Sequence, residues 1–156
     1  MAEQQICTFF LKGAYFGIDV QHVQEVIRPQ ATTPVPLAPP DICGLINLRG
    51  QIITVIDLQR RLEMSEPQTQ STTKLGDERQ GFNIVLCCDG EIVSLLVDDV
   101  GDVLEFAQNT FQPPPATLKG RMRQMLAGAY PLPEGFLLVL DAEKILDVNL
   151  TNQIIE

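Results

Sequence analysis

Histidine is almost missing from this chain: His22 is the only one in 156 residues. The four cysteines, Cys7, Cys43, Cys87 and Cys88, form no C-x-x-C pair. A zinc site needs four closely spaced ligands, which this set does not offer, so reduced, structural thiols are expected. No nucleophile or orienting partner can be assigned to His22, which reads as an exposed or satisfied helix residue rather than a catalytic base. Basic residues are also scarce, 11 against 20 acidic ones, for a net charge of −9. A surface so negative repels phosphate backbones and anionic headgroups, so nucleic acid and membrane surfaces are poor partners. No apolar run approaches the ~20 residues needed to cross a bilayer. The start, Met1 to Gln5, lacks the basic residues of a signal peptide. A cytoplasmic protein that binds other proteins is the expectation.

What is present is apolar residue in short, punctuated runs. Hydrophobic residues make up 45% of the chain, and eleven prolines with eleven glycines favour short strands joined by tight turns over a helical bundle. Ile6 to Lys12 and Tyr15 to Asp19 flank Gly13-Ala14 and read as a hairpin. Val20, Val23, Val26 and Ile27 recur at helical spacing and suggest a short amphipathic turn before the next strand. Thr33 to Pro40 carries four prolines and is expected as a rigid extended connector. Gly44 to Leu48 and Gln51 to Leu58 flank Arg49-Gly50 as a second hairpin, and Leu58 to Met64 suggests a short helical turn. Ser65 to Gln80 is polar and expected to be a mobile loop joining two halves. Adjacent Cys87 and Cys88 point to opposite faces of a strand, which puts one of them in the core.

The second half repeats the first. A shift of 77 positions pairs Gly13 with Gly90, Val23 with Val100, Glu25 with Asp102 and Val26 with Val103. After Pro113-Pro114-Pro115 the shift becomes 84, pairing Gly44 with Gly128, Leu48 with Leu132 and Asp57 with Asp141. Two matching all-β units are the simplest account.

Three stretches resemble the CheW-type chemotaxis coupling proteins. They are Tyr15 to Val20 with Val23, Glu25, Val26 and Ile27; Gly44-Leu45-Ile46-Asn47-Leu48-Arg49-Gly50 with Ile56-Asp57-Leu58; and Val97 to Val100 with Asp102-Val103. The likeness runs from about Cys7 to Leu146. One departure is Thr54, where the family often has proline. The resemblance implies an all-β fold with short helices: two five-stranded SH3-like β-barrel subdomains around a shared hydrophobic core. It implies one CheW-like domain over residues 1–156. Its subdomains are expected near 14–80 and 81–142, with 1–13 and 143–156 packing across them. It further implies a signal-transduction adaptor that joins the cytoplasmic tip of methyl-accepting chemoreceptors to the regulatory domain of the histidine kinase CheA. A coupler serving a type IV pilus or surface-sensing pathway is the alternative. Such a protein would be recruited to membrane receptor arrays through its partners.

The resemblance also implies sites. Val23, Glu25, Val26, Ile27, Arg49 and Val100 would form the receptor groove, with Glu25 holding Arg49 through a charge-assisted hydrogen bond. Gly44 and Leu48 would lie at the kinase-facing end. Barrel core is the other reading of Val23, Val26, Ile27 and Val100, and a turn glycine is the other reading of Gly44. Asp98, Asp99 and Asp102 invite a magnesium or acid–base reading, but no phosphate-binding loop or second ligand cluster accompanies them. A solvated acidic turn is expected there, with no enzymatic activity, no cofactor and no metal.

Overall fold

Among the described residues, three turns close on an X-Gly pair with both residues at positive φ: Lys12-Gly13 (49° and 81°), Arg49-Gly50 (52° and 87°) and Asp89-Gly90 (53° and 83°). Two consecutive residues in that region mark the type I′ turn, whose twist matches that of the strands it joins. Turn chemistry therefore sets three hairpins locally. They are β1 (Glu3–Leu11) with β2 (Ala14–Asp19), β4 (Ile42–Leu48) with β5 (Gln51–Asp57), and β6 (Phe82–Cys88) with β7 (Glu91–Val97). The remaining strands are β3 (Val23–Ile27), β8 (Asp99–Ala107), β9 (Leu126–Leu132) and β10 (Gly135–Leu140). The described residues also form three short α-helices, α1 (Leu58–Arg61), α2 (Gly120–Met125) and α3 (Ala142–Leu146), and two 3-10 turns, Val20–His22 and Gln108–Thr110. The computed structural model describes residues 2–64 and 81–147; the polar stretch Ser65 to Gln80 lies outside them.

The strands form two five-stranded sheets, ordered β8-β1-β2-β10-β9 and β3-β6-β7-β5-β4. The same pattern occurs twice. A shift of 84 carries β4 onto Leu126–Leu132 and α1 onto the start of α3. In each sheet the hairpin of one half sits between strands of the other half: β1–β2 beside β8 and β10, and β6–β7 beside β3 and β5. Both sheets thus draw strands from residues 14–80 and from residues 81–142. The parallel pairs β5·β7 and β10·β2 are equivalent joints between the halves.

The exchange is held by burial. Phe9, Leu11, Phe16 and Ile18 of the first sheet meet Ile84, Leu86, Leu95 and Val97 of the second in one shared core, all at most 1% exposed. Burying each such side chain contributes about 1.5–3 kcal/mol. Each sheet also curls around a small core of its own. Ile6, Tyr130, Leu137 and Val139 fill the first, and Ile46, Ile53 and Val55 fill the second. In the first sheet the edge strands β8 and β9 meet where Phe106 stacks on Tyr130, ring centroids 4.3 Å apart. In the second, Ile27 of edge strand β3 packs against the cluster that holds Ile46 of edge strand β4. The expected all-β fold with a shared core is therefore observed, as two curled five-stranded sheets.

The repeated aspartates have a shared task. Asp57 caps α1 by accepting from the Arg60 amide, and Asp141 caps α3 by accepting from the Glu143 and Lys144 amides. Between these helices lies a buried charge. Arg61 Nε sits 2.8 Å from Asp41 Oδ2, and Arg61 Nη1 donates to the Ile145 carbonyl at 2.6 Å. One side chain of the first half thereby satisfies a carbonyl of the second. Burial lowers the Arg61 pKa, and the charge of Asp41 opposes that shift.

One expectation is corrected. Of the stretch with helical spacing, only Val20–His22 is helical, as a single 3-10 turn capped by Asp19. Val23–Ile27 is a strand, because pairing with β6 gives these β-branched residues a ladder and an interior that an isolated helical turn cannot supply. Cys88 is buried and Cys87 half-buried, as opposite faces of β6 require.

Candidate functional site

Arg49 occupies the tip of the β4–β5 hairpin. A type I′ turn admits glycine, asparagine or aspartate most readily, so it tolerates arginine here without selecting it. The side chain is 66% exposed, and its guanidinium donates from Nη2 to Oε2 of Glu25. Glu25 lies on β3, at the opposite edge of the same sheet from β4. Curling of the sheet brings the two edges together, and the ion pair spans them. Asn47, also exposed, accepts at Oδ1 from the Gly50 amide at 2.8 Å.

The other candidate groove residues divide by depth. Val23 and Val100, at equivalent positions of the two halves, are half-buried and pack against the shared core. Ile27 packs into the core of the second sheet. Val26 points outward and is 39% exposed, and its counterpart Val103 is 53% exposed. Among the expected groove residues, Val26, Glu25 and Arg49 thus offer accessible side-chain surface, while Val23, Ile27 and Val100 mainly support them.

Gly44 is buried at a bulge in the β4–β5 ladder, with φ at 151°. An added Cβ would lie 2.4 Å from the Thr33 carbonyl oxygen, because the connector before β4 bridges back onto Leu45. Its counterpart Gly128 is confined in the same way by the Gln112 carbonyl and the Phe111 ring. This backbone geometry explains the glycine at both positions. Leu48 is half-buried on the outer part of the second sheet's core. Ile52, across the ladder from Asn47, is 71% exposed, an exposure that its place in an apolar run does not reveal.

The acidic trio does not act as one group. Asp98 accepts from the Lys12 amide at 2.7 Å and from Gln59 Nε2 at 2.8 Å, which fastens the first hairpin to α1. Asp99 accepts from the Val100 amide, and Asp102 is exposed. Among the described residues the one triplet with metal-ligand proximity is Cys88, Asp89 and Glu143, with donor atoms within 4.8 Å. Burial and the adjacent carboxylates push the Cys88 thiol up, away from the thiolate a metal would need. No described helix is long and apolar enough to cross a membrane.

The chain is also similar to known proteins. The family model for the CheW-like domain matches residues 5–149. Chemotaxis protein CheW of Treponema pallidum is 30% identical over 141 residues, covering 90% of this chain and 81% of that protein. Chemotaxis protein CheW of Bacillus subtilis is 26% identical over 144 residues, covering 92% and 87%. The crystal structure of the scaffolding protein TtCheW from Thermoanaerobacter tengcongensis matches with a TM-score of 0.78 and 27% identity, over 96% of this chain and 91% of that one.

Proposed function

The chain belongs to the CheW-like domain family, and from that premise we propose how its surface is divided between partners. It is a chemotaxis adaptor, and coupling of chemoreceptors to CheA is what the family implies. The chemoreceptor tip docks where Val26, Glu25 and Arg49 are accessible, over the bed formed by Val23, Ile27 and Val100. The regulatory domain of the kinase docks at the end of the β4–β5 hairpin near Leu48, with Gly44 shaping the backbone there. Binding alone is its task; it performs no catalysis and needs no metal or cofactor.

The observation that carries this reading is the Glu25–Arg49 pair. An exposed arginine held by a partner on another strand has lost much of its freedom before any protein arrives, so less entropy is lost on binding. Arginine is also enriched among residues that dominate interface energetics. The test is reconstitution of the purified chain with the receptor signalling domain and CheA-type kinase of the same organism. Wild-type chain should raise kinase activity in a receptor-dependent way, and Arg49→Ala should raise it less. A folded Arg49→Ala that couples as well as wild type removes Arg49 from the site. Repeating the assay with pilus-pathway components distinguishes the two kinds of coupler.

A further inference from the structure

The Arg49-Gly50 turn is braced differently from the Lys12-Gly13 turn. In a two-residue I′ hairpin the residues flanking the turn, here Leu48 and Gln51, pair across the ladder. The amide of the second turn residue points away from that ladder and needs another acceptor or water. At Gly50 the acceptor is Asn47 Oδ1, 2.8 Å away and three residues back, on β4. In the Lys12-Gly13 turn the side-chain acceptor is Asp98, which lies between β7 and β8 and takes the Lys12 amide. At the matching place in the second half stands Pro131, and that hairpin tip carries neither arginine nor the paired φ values of the I′ turn.

Asn47 is exposed, so it contributes no burial. Asparagine is also a poor strand residue, because its short polar side chain competes for nearby backbone groups. What it gains is control of the turn two residues from the guanidinium. We infer that Asn47 is a positioning residue: by holding the Gly50 amide, it fixes the direction in which the turn presents Arg49 to Glu25. This rests on the reading of Arg49 as a partner contact.

The experiment uses the full-length chain with Asn47→Ala, Asn47→Asp, Arg49→Ala and the double variant Asn47→Ala/Arg49→Ala. Three quantities are measured: the melting midpoint, the heteronuclear NOE of the Arg49 Nε–Hε group, and kinase coupling in the reconstituted system. Asn47→Ala should melt near wild type, as an exposed substitution does. Its Arg49 NOE should fall, and its coupling should drop several-fold toward the Arg49→Ala level. Asn47→Asp, whose carboxylate can accept the same amide, should restore both. In the Arg49→Ala background, Asn47→Ala should change coupling no further. An ordered Arg49 in Asn47→Ala, or an equal loss of coupling in both backgrounds, overturns the inference. Wild-type coupling by Arg49→Ala would instead defeat the partner-contact reading, and the NOE alone would then decide whether Asn47 positions Arg49.

Discussion

Arg49 and Glu25 bridge the two edges of one sheet: Arg49 follows β4, Glu25 sits on β3, and three strands lie between them in the hydrogen-bonded order. An exposed ion pair contributes only about 0–1 kcal/mol to stability. Arg49→Ala should therefore keep nearly the wild-type denaturant midpoint. Its assembly with receptor and kinase should weaken by more than about 1 kcal/mol, as loss of an interface arginine does. The charge swap Glu25→Arg with Arg49→Glu should recover part of the function if the two groups act mainly on each other. If Arg49 meets a carboxylate of the partner, the swapped chain should fold and still fail to couple.

Depth separates Val26 from Val23. Val26→Glu places a charge in solvent and should leave the melt unchanged while receptor binding falls. Val23→Glu forces a charge toward the shared core, where an unpaired carboxylate is costly, and should lose more than about 1 kcal/mol of stability. Equal melting of the two variants would show that the outward and inward faces of β3 are not distinguished this way.

The glycines at the two equivalent bulges should be stability determinants. Gly44→Ala must either move the Thr33 carbonyl or abandon a φ of 151°. Gly128→Ala meets the Phe111 ring at 2.4 Å. Both should lower the unfolding free energy by about 1–3 kcal/mol. Gly13→Ala, with nothing within 4 Å of an added Cβ, faces the φ penalty alone and should cost less. Urea midpoints of the three variants rank them directly.

Alkali should loosen the fold. Burial raises the pKa of the Cys7 thiol above its ordinary 9.0, and burial, then the charge of Asp19, raises that of Tyr130 above its ordinary 10.0. The unfolded chain releases these protons first, so between the unfolded and folded pKa values the native state holds more of them. Stability must then fall as pH climbs above about 9. Urea titrations at neutral pH and at about pH 10 should show the decline, and Cys7→Ala should make it shallower. An unchanged midpoint across that range would contradict the assignment.

Much of this molecule could be read locally. The X-Gly turns at Lys12, Arg49 and Asp89, the apolar alternation beside them, and the equivalence of Asp57 with Asp141 all lie within a few residues of what they control. Val23–Ile27 misled because its apolar residues fit two periodicities, and only a pairing partner 56 or more positions away decides for the strand. The bonds of Asp98 were illegible for a related reason: its carboxylate accepts from Lys12 and Gln59, which no spacing rule connects to it.

Turn type, capping and hydrophobic period depend on neighbouring residues, so the amino-acid order alone determined the hairpins, the helix starts, the repeat and, through resemblance, the family. The exchange of hairpins between halves, the meeting of β3 with β4 and the confinement of Gly44 depend on which surfaces can be buried together. The Glu25–Arg49 pair belongs with them, since a bond between opposite edges of a sheet exists only once that sheet has curled around its core. Those features were decided by the tertiary structure, because burial is a property of the whole chain and has no local signature.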